Sequence, residues 1–144
     1  MTNTHTMTKE IWINLPVKDL RRSKAFFTAL GFAFSERDGN SEVSAAMLIG
    51  TNKAVVMLFS EHLFQGFTQH PISDTRKGTE VMISIDAESR EEVDELARKV
   101  TEAGGTVFAQ PGESQGWMYG CGFCDPDGHR WNVLHMDMSK MPKM

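Results

Sequence analysis

The stretch IWINLPVKDLRRSKAFFTALGF, residues 11–32, decides the fold. Ile11, Ile13, Leu15 and Val17 alternate with Trp12, Asn14 and Pro16, and this period of two predicts a strand with its aliphatic face inward. Asp19 stands where a helix N-cap belongs. Leu20, Ser23, Phe27 and Leu30 follow at helical spacing, and Phe26 widens the stripe. Gly31 is placed to end the helix as its C′ residue.

The order strand, helix, strands continues beyond this stretch and then repeats. Phe32 to Glu36 is extended, Asp38-Gly39-Asn40 is a turn, and Val43 to Ile49 and Ala54 to Phe59 read as two further strands joined at Gly50-Thr51-Asn52-Lys53. In the second copy, Val81, Ile83 and Ile85 alternate with Glu80, Met82 and Ser84. Ser89 and Glu92 form a capping-box pattern ahead of Val93, Leu96, Ala97 and Val100, and Gly104-Gly105 stops the helix. Thr106 to Ala109 is extended. Trp117 to Phe123 and His129 to Met136 then close as a hairpin around Asp125-Pro126-Asp127-Gly128.

These units divide the chain into a flexible arm (1–9), one domain (10–137) and a loose tail (138–144). The domain comprises module one (10–60), a linker (61–78) and module two (79–137). The linker carries His62, Phe64, Phe67 and His70, which suits a segment lying over a pocket. The expected class is α+β: paired βαβββ modules forming a curved mixed sheet around a cleft.

Strand parity sorts the residues of that sheet. Ile11, Ile13, Leu15, Ala54, Val56, Leu58, Val81, Ile83, Ile85, Trp131 and Val133 are expected under the helices. The opposite face carries Trp12, Asn14, Val55, Met57, Phe59, Glu80, Met82, Ser84, Asn132 and Leu134. A ligand-binding lining is thus expected from Trp12, Asn14, Met57, Phe59, Met82, Asn132 and Leu134, with Glu80 as the candidate acid–base residue. Ordinary packing is the competing account of the apolar members. A solvated strand end is the competing account of Glu80.

Composition excludes other classes. The net charge is −4 with no block of Lys or Arg, so no nucleic-acid footprint is visible. No apolar run approaches the roughly 20 residues that span a bilayer. Residues Met1 to Lys9 are polar and lack the apolar core of a secretory signal. Cys121 and Cys124 make no disulfide framework, and three residues apart on a strand they point to opposite faces, which argues against a redox pair. A cytoplasmic protein is the default expectation.

NLPVKDLRRSKAFFTALGF (14–32) and DPDGHRWN (125–132) resemble the opening and closing motifs of the vicinal-oxygen-chelate superfamily, which includes glyoxalase I, extradiol dioxygenases and the bleomycin and fosfomycin resistance proteins. The resemblance covers about Ile11 to Asp137. It implies paired βαβββ modules, a small-molecule ligand and a homodimer. Ligands to the metal of that superfamily come from four strand positions, which by register fall on Trp12, Met57, Glu80 and Asn132. Only Glu80 is a good ligand for a hard divalent metal; Asn132 offers a weak carbonyl oxygen, Met57 suits soft metals and Trp12 does not ligate. The expected cofactor is therefore none, or a divalent metal weakly held by Glu80 with Asn132. The resemblance implies a lyase or oxygenase of unknown substrate with a degenerate metal site. The side chains favour a metal-free protein that sequesters a ligand, like the bleomycin-resistance branch. A module that binds a protein partner is the third reading.

Overall fold

The structure is a computed structural model describing residues 7–37 and 39–142. Residues 1–6 of the expected arm, Asp38 of the expected turn, and the tail residues Lys143 and Met144 lie outside the described residues. Strands β1 (Trp12–Val17), β2 (Ala33–Phe34), β3 (Ser44–Ile49) and β4 (Ala54–Ser60) with helix α1 (Leu20–Ala29) form the first module. Strands β5 (Met82–Asp86), β6 (Thr106–Ser114), β7 (Met118–Cys124) and β8 (Arg130–Met136) with helix α3 (Arg90–Glu102) form the second. Helix α2 (Glu61–Thr68) lies between them, in the segment read from sequence only as a linker.

Each module is its own mixed four-stranded sheet, ordered β1-β4-β3-β2 and β5-β8-β7-β6. The first strand of each pairs in parallel with the last, Asn14 beside Met57 and Ser84 beside Asn132. That places β1 and β5 at sheet edges. Strand β6 is the opposite edge of its sheet and tolerates Pro111, with register shifts on either side of Ala109.

The helix ends follow the sequence signals. Asp19 accepts from the Arg22 amide at 3.1 Å, and Ser89 from the Glu92 amide at 3.1 Å. Glu92 reaches back to the Glu88 amide rather than to the cap itself. Gly31 and Gly104, at φ +101° and +93°, take the left-handed conformation that follows each helix. Aligning the two N-caps matches Val93, Leu96 and Val100 with Ser23, Phe26 and Leu30, so the α1 stripe is centred on Ser23, Phe26 and Phe27 rather than on Leu20.

One core serves both modules. Phe27 of α1 packs on Trp131 of β8 with ring centroids 5.3 Å apart, and Phe26 packs on Phe123 of β7 at 6.1 Å. Val17, Val56, Leu58, Met47, Val93, Val100 and Val133 complete it. Parity holds through β4 and β8. It fails at the strand beginnings: Ile11, Ile13, Ala54 and Val81, expected under the helices, are exposed, Ile11 at 87% and Val81 at 62%. Ile11 and Val81 precede β1 and β5, which begin at Trp12 and Met82, and Ile13 and Ala54 lie within the first two residues of their strands. The tail expected to be loose begins with a 3₁₀ turn, Met138–Lys140, capped by Asp137.

Candidate functional site

The closing motif explains how the modules are held together. Asp125, 5% exposed, folds the β7–β8 turn by accepting from the amides of Asp127 and His129, each at 3.0 Å, and from the Trp131 indole at 3.1 Å. Burial pushes its carboxyl above the usual range; His129 and the hydrogen bonds oppose that shift. Asp127 then crosses to the first module. Its carboxylate accepts from the Lys18 amide at 2.8 Å and the Ser23 hydroxyl at 3.1 Å, and lies 3.5 Å from the Arg22 guanidinium. The His129 ring donates through Nε2 to the Pro16 carbonyl at 2.7 Å, which fixes its tautomer.

The linker returns over this junction. Thr75 donates to the Asp127 carbonyl at 2.6 Å, and Gly128 lies so close that a Cβ there would stand 2.3 Å from the Thr75 hydroxyl. Phe67 of α2 meets Phe59 of β4 edge to face, with centroids 5.1 Å apart. The linker also lines an open cavity of about 710 Å³ whose wall includes Asn14, Phe64, His70, Glu80, His129 and Arg130. A second cavity of about 570 Å³ shares Thr75, His129 and Arg130 and continues to Lys18 and Cys124. Within the linker, the Arg76 guanidinium bonds Asp74 at 3.1 Å and holds that carboxyl below its usual range.

The expected lining separates into groups. Asn14 and Glu80 both line the larger cavity. Glu80 does so from outside a strand, because β5 starts two residues later, and its side chain is exposed. Trp12 and Met82 lie at the two sheet edges, 56% and 51% exposed. Met57 is taken up by packing: a Cβ on Gly39 would stand 2.9 Å from its Cε. Phe59 is occupied by Phe67. Asn132 donates to Ser84 at 3.4 Å, and Leu134 lies against Gly120, where a Cβ would come within 2.7 Å of its Cδ2.

Two residues of this face escaped the sequence reading. Arg130 precedes Asn132 by two positions and so shares its face, a parity signal present in the sequence. Its guanidinium carbon sits 4.2 Å from the Phe108 ring centroid. Phe108 lies over Gly122, close enough that a Cβ there would stand 2.5 Å from the ring.

The metal set implied by the resemblance does not fit the residues present. Of the four implied positions, Trp12, Met57, Glu80 and Asn132, only Glu80 carries a carboxylate, and it lies outside β5 with its side chain exposed. The register-matched rows are Asn14–Met57 and Ser84–Asn132. Neither row contains an imidazole, thiolate or carboxylate, the groups that hold divalent first-row metals. Among the described residues no three His, Cys, Asp or Glu side chains converge. No helix among the described residues is long and apolar enough to cross a membrane.

A family model described as Glyoxalase/Bleomycin resistance protein/Dioxygenase superfamily matches residues 10–133. A hypothetical protein from S. aureus is 38% identical, with a TM-score of 0.80 over 90% of this chain and 95% of that chain. A glyoxalase/bleomycin resistance protein/dioxygenase family enzyme from Burkholderia phytofirmans PsJN is 21% identical, with a TM-score of 0.74 over 88% and 97% of the two chains. The genomically encoded fosfomycin resistance protein FosX from Listeria monocytogenes is 19% identical, with a TM-score of 0.67 over 94% and 98%. At those two lower identities the likeness concerns the fold alone. No curated protein matches the chain.

Proposed function

The chain belongs to the Glyoxalase/Bleomycin resistance protein/Dioxygenase superfamily, and from that premise we propose that it binds a small organic ligand in the cavity beneath the linker, without a transition metal at the superfamily's ligand positions. The observation that supports this reading is the cavity of about 710 Å³, walled by β1, the β5 end of the linker, α2 and the β7–β8 turn, with Asn14, Glu80 and His129 as polar groups on a partly apolar wall. Glu80 serves as a hydrogen-bond acceptor for the ligand and Asn14 as a donor or acceptor. The fold itself leaves the chemistry open, since superfamilies of this breadth host both enzymes and binders. The reading extends to a cytoplasmic homodimer that contacts neither nucleic acid nor membrane.

The test is a metabolite screen read by thermal stabilisation in the presence of a chelator, with Glu80→Gln and Asn14→Ala as controls. A ligand at a hundred times its Kd stabilises by about 2.7 kcal/mol. A hit that persists with chelator and weakens in both variants supports the reading. Hits that appear only after a divalent metal is added, or that ignore both substitutions, contradict it.

A further inference from the structure

We propose that Arg130 is the anchor for an oxyanion of the bound ligand, a carboxylate, phosphate or phosphonate; this rests on the ligand-binding reading above and names the class of ligand. Arg130 is a half-buried cation in the wall of both cavities. Among the described residues its guanidinium makes no hydrogen bond or ion pair, and its Nε is buried without a partner. Three aspartates that line these cavities are committed elsewhere, while the glutamates Glu61 and Glu80 on their walls form no ion pair with Arg130. Asp74 holds Arg76, Asp125 holds the turn and the Trp131 indole, and Asp127 holds Lys18, Ser23 and Arg22.

An unpaired buried donor costs free energy, and a guanidinium presents a planar fork of donors matched to a carboxylate or a phosphoryl group. The position is also prepared. Phe108 supports the guanidinium from one side at 4.2 Å, and the missing side chain at Gly122 makes room for that ring. A stacked guanidinium loses less freedom when it binds, which favours its use as an anchor. Lys77 adds a second cation to the larger cavity. Glu80, on the same wall, disfavours a ligand with a second anionic group beside it and favours a donor there.

The experiment measures Kd by calorimetry for phenylphosphonate and for neutral benzyl alcohol. The proteins are the intact chain, Arg130→Gln, Arg130→Lys and Phe108→Ala. The intact chain is expected to bind phenylphosphonate at least about tenfold more tightly than benzyl alcohol. Arg130→Gln is expected to remove that preference and leave benzyl alcohol binding as it was. Arg130→Lys and Phe108→Ala are expected to fall between. Equal affinity for the two probes, or unchanged phosphonate affinity in Arg130→Gln, overturns the anchor while leaving the ligand-binding reading standing. If phenylphosphonate does not bind the intact chain, the oxyanion assignment falls, and the metabolite screen decides the ligand-binding reading separately.

Discussion

The Asp127 carboxylate of the second module accepts a 3.1 Å hydrogen bond from the Ser23 hydroxyl of the first helix, across 104 residues of chain. Ser23 is buried, 1% exposed, and Asp127 also accepts from the Lys18 amide. Removing the carboxylate strands a buried hydroxyl and a backbone N–H. Asp127→Ala is therefore expected to destabilise by about 3 kcal/mol and Ser23→Ala by about 1 kcal/mol. The double variant should fall short of their sum, since the two residues share a bond. Urea unfolding of the four proteins checks this; additive losses contradict a direct link.

Two glycines of β7 make a graded prediction. A Cβ on Gly120 would meet the Val133 carbonyl oxygen at 2.5 Å, part of the neighbouring strand's backbone. A Cβ on Gly122 would meet the Phe108 ring at the same distance, but Phe108 is 42% exposed, and a side chain at the surface yields more readily than backbone. Gly120→Ala should cost about 3 kcal/mol and Gly122→Ala about 1 kcal/mol. The milder change should also abolish the Phe108–Arg130 stack. Chemical denaturation ranks the two, and an equal or inverted order contradicts the packing described.

Cys121 gives a pH prediction. Burial, with the Asp94 charge adding to it, pushes its thiol from 9.0 to about 11. The folded protein thus keeps its proton where the unfolded chain would release it. The associated stability is complete below about pH 9 and declines as pH rises toward 11. Alkylation at pH 8 should be slow at Cys121 and faster at Cys124, which is less buried. Mass spectrometry of peptides after a timed iodoacetamide pulse reads both rates; faster labelling of Cys121 contradicts this.

Exposed Trp12, Val81 and Met82, with Ile11 at the same end of β1, leave apolar surface on the edge strands β1 and β5. A homodimer that covers these edges is the expected solution state. Light scattering at micromolar concentration should give twice the chain mass, and Trp12→Lys with Met82→Lys should halve it. A monomeric intact chain contradicts the expectation.

Local patterning made much of the fold legible. Alternation through β4 and β8, the caps at Asp19 and Ser89, and the stops at Gly31 and Gly104 each depend on a few neighbouring residues. The clamps were not legible, because contacts from Asp127 to Ser23 or Thr75 leave no periodicity. Helix α2 escaped because its eight residues are too few for a periodic stripe, although Ser60 caps it by accepting from the Leu63 amide at 3.4 Å. Glu80 was placed by extending strand parity past the start of β5. It reaches the cavity through the path of the linker instead. Arg130 escaped although parity around Asn132 extends to it, because its importance depends on Phe108, which only the β6–β7 pairing brings alongside.

The central claim, ligand binding without a metal at the superfamily's positions, is tested most directly by metal loading. The intact chain, incubated with Fe(II), Ni(II) or Zn(II) and desalted, is analysed for metal per chain, and the Kd of the best screened ligand is measured with and without chelator. The account predicts metal far below one per chain, unchanged in Glu80→Ala, and a Kd indifferent to chelator. Near-stoichiometric metal that is lost in Glu80→Ala, with ligand affinity lost alongside it, would contradict the account.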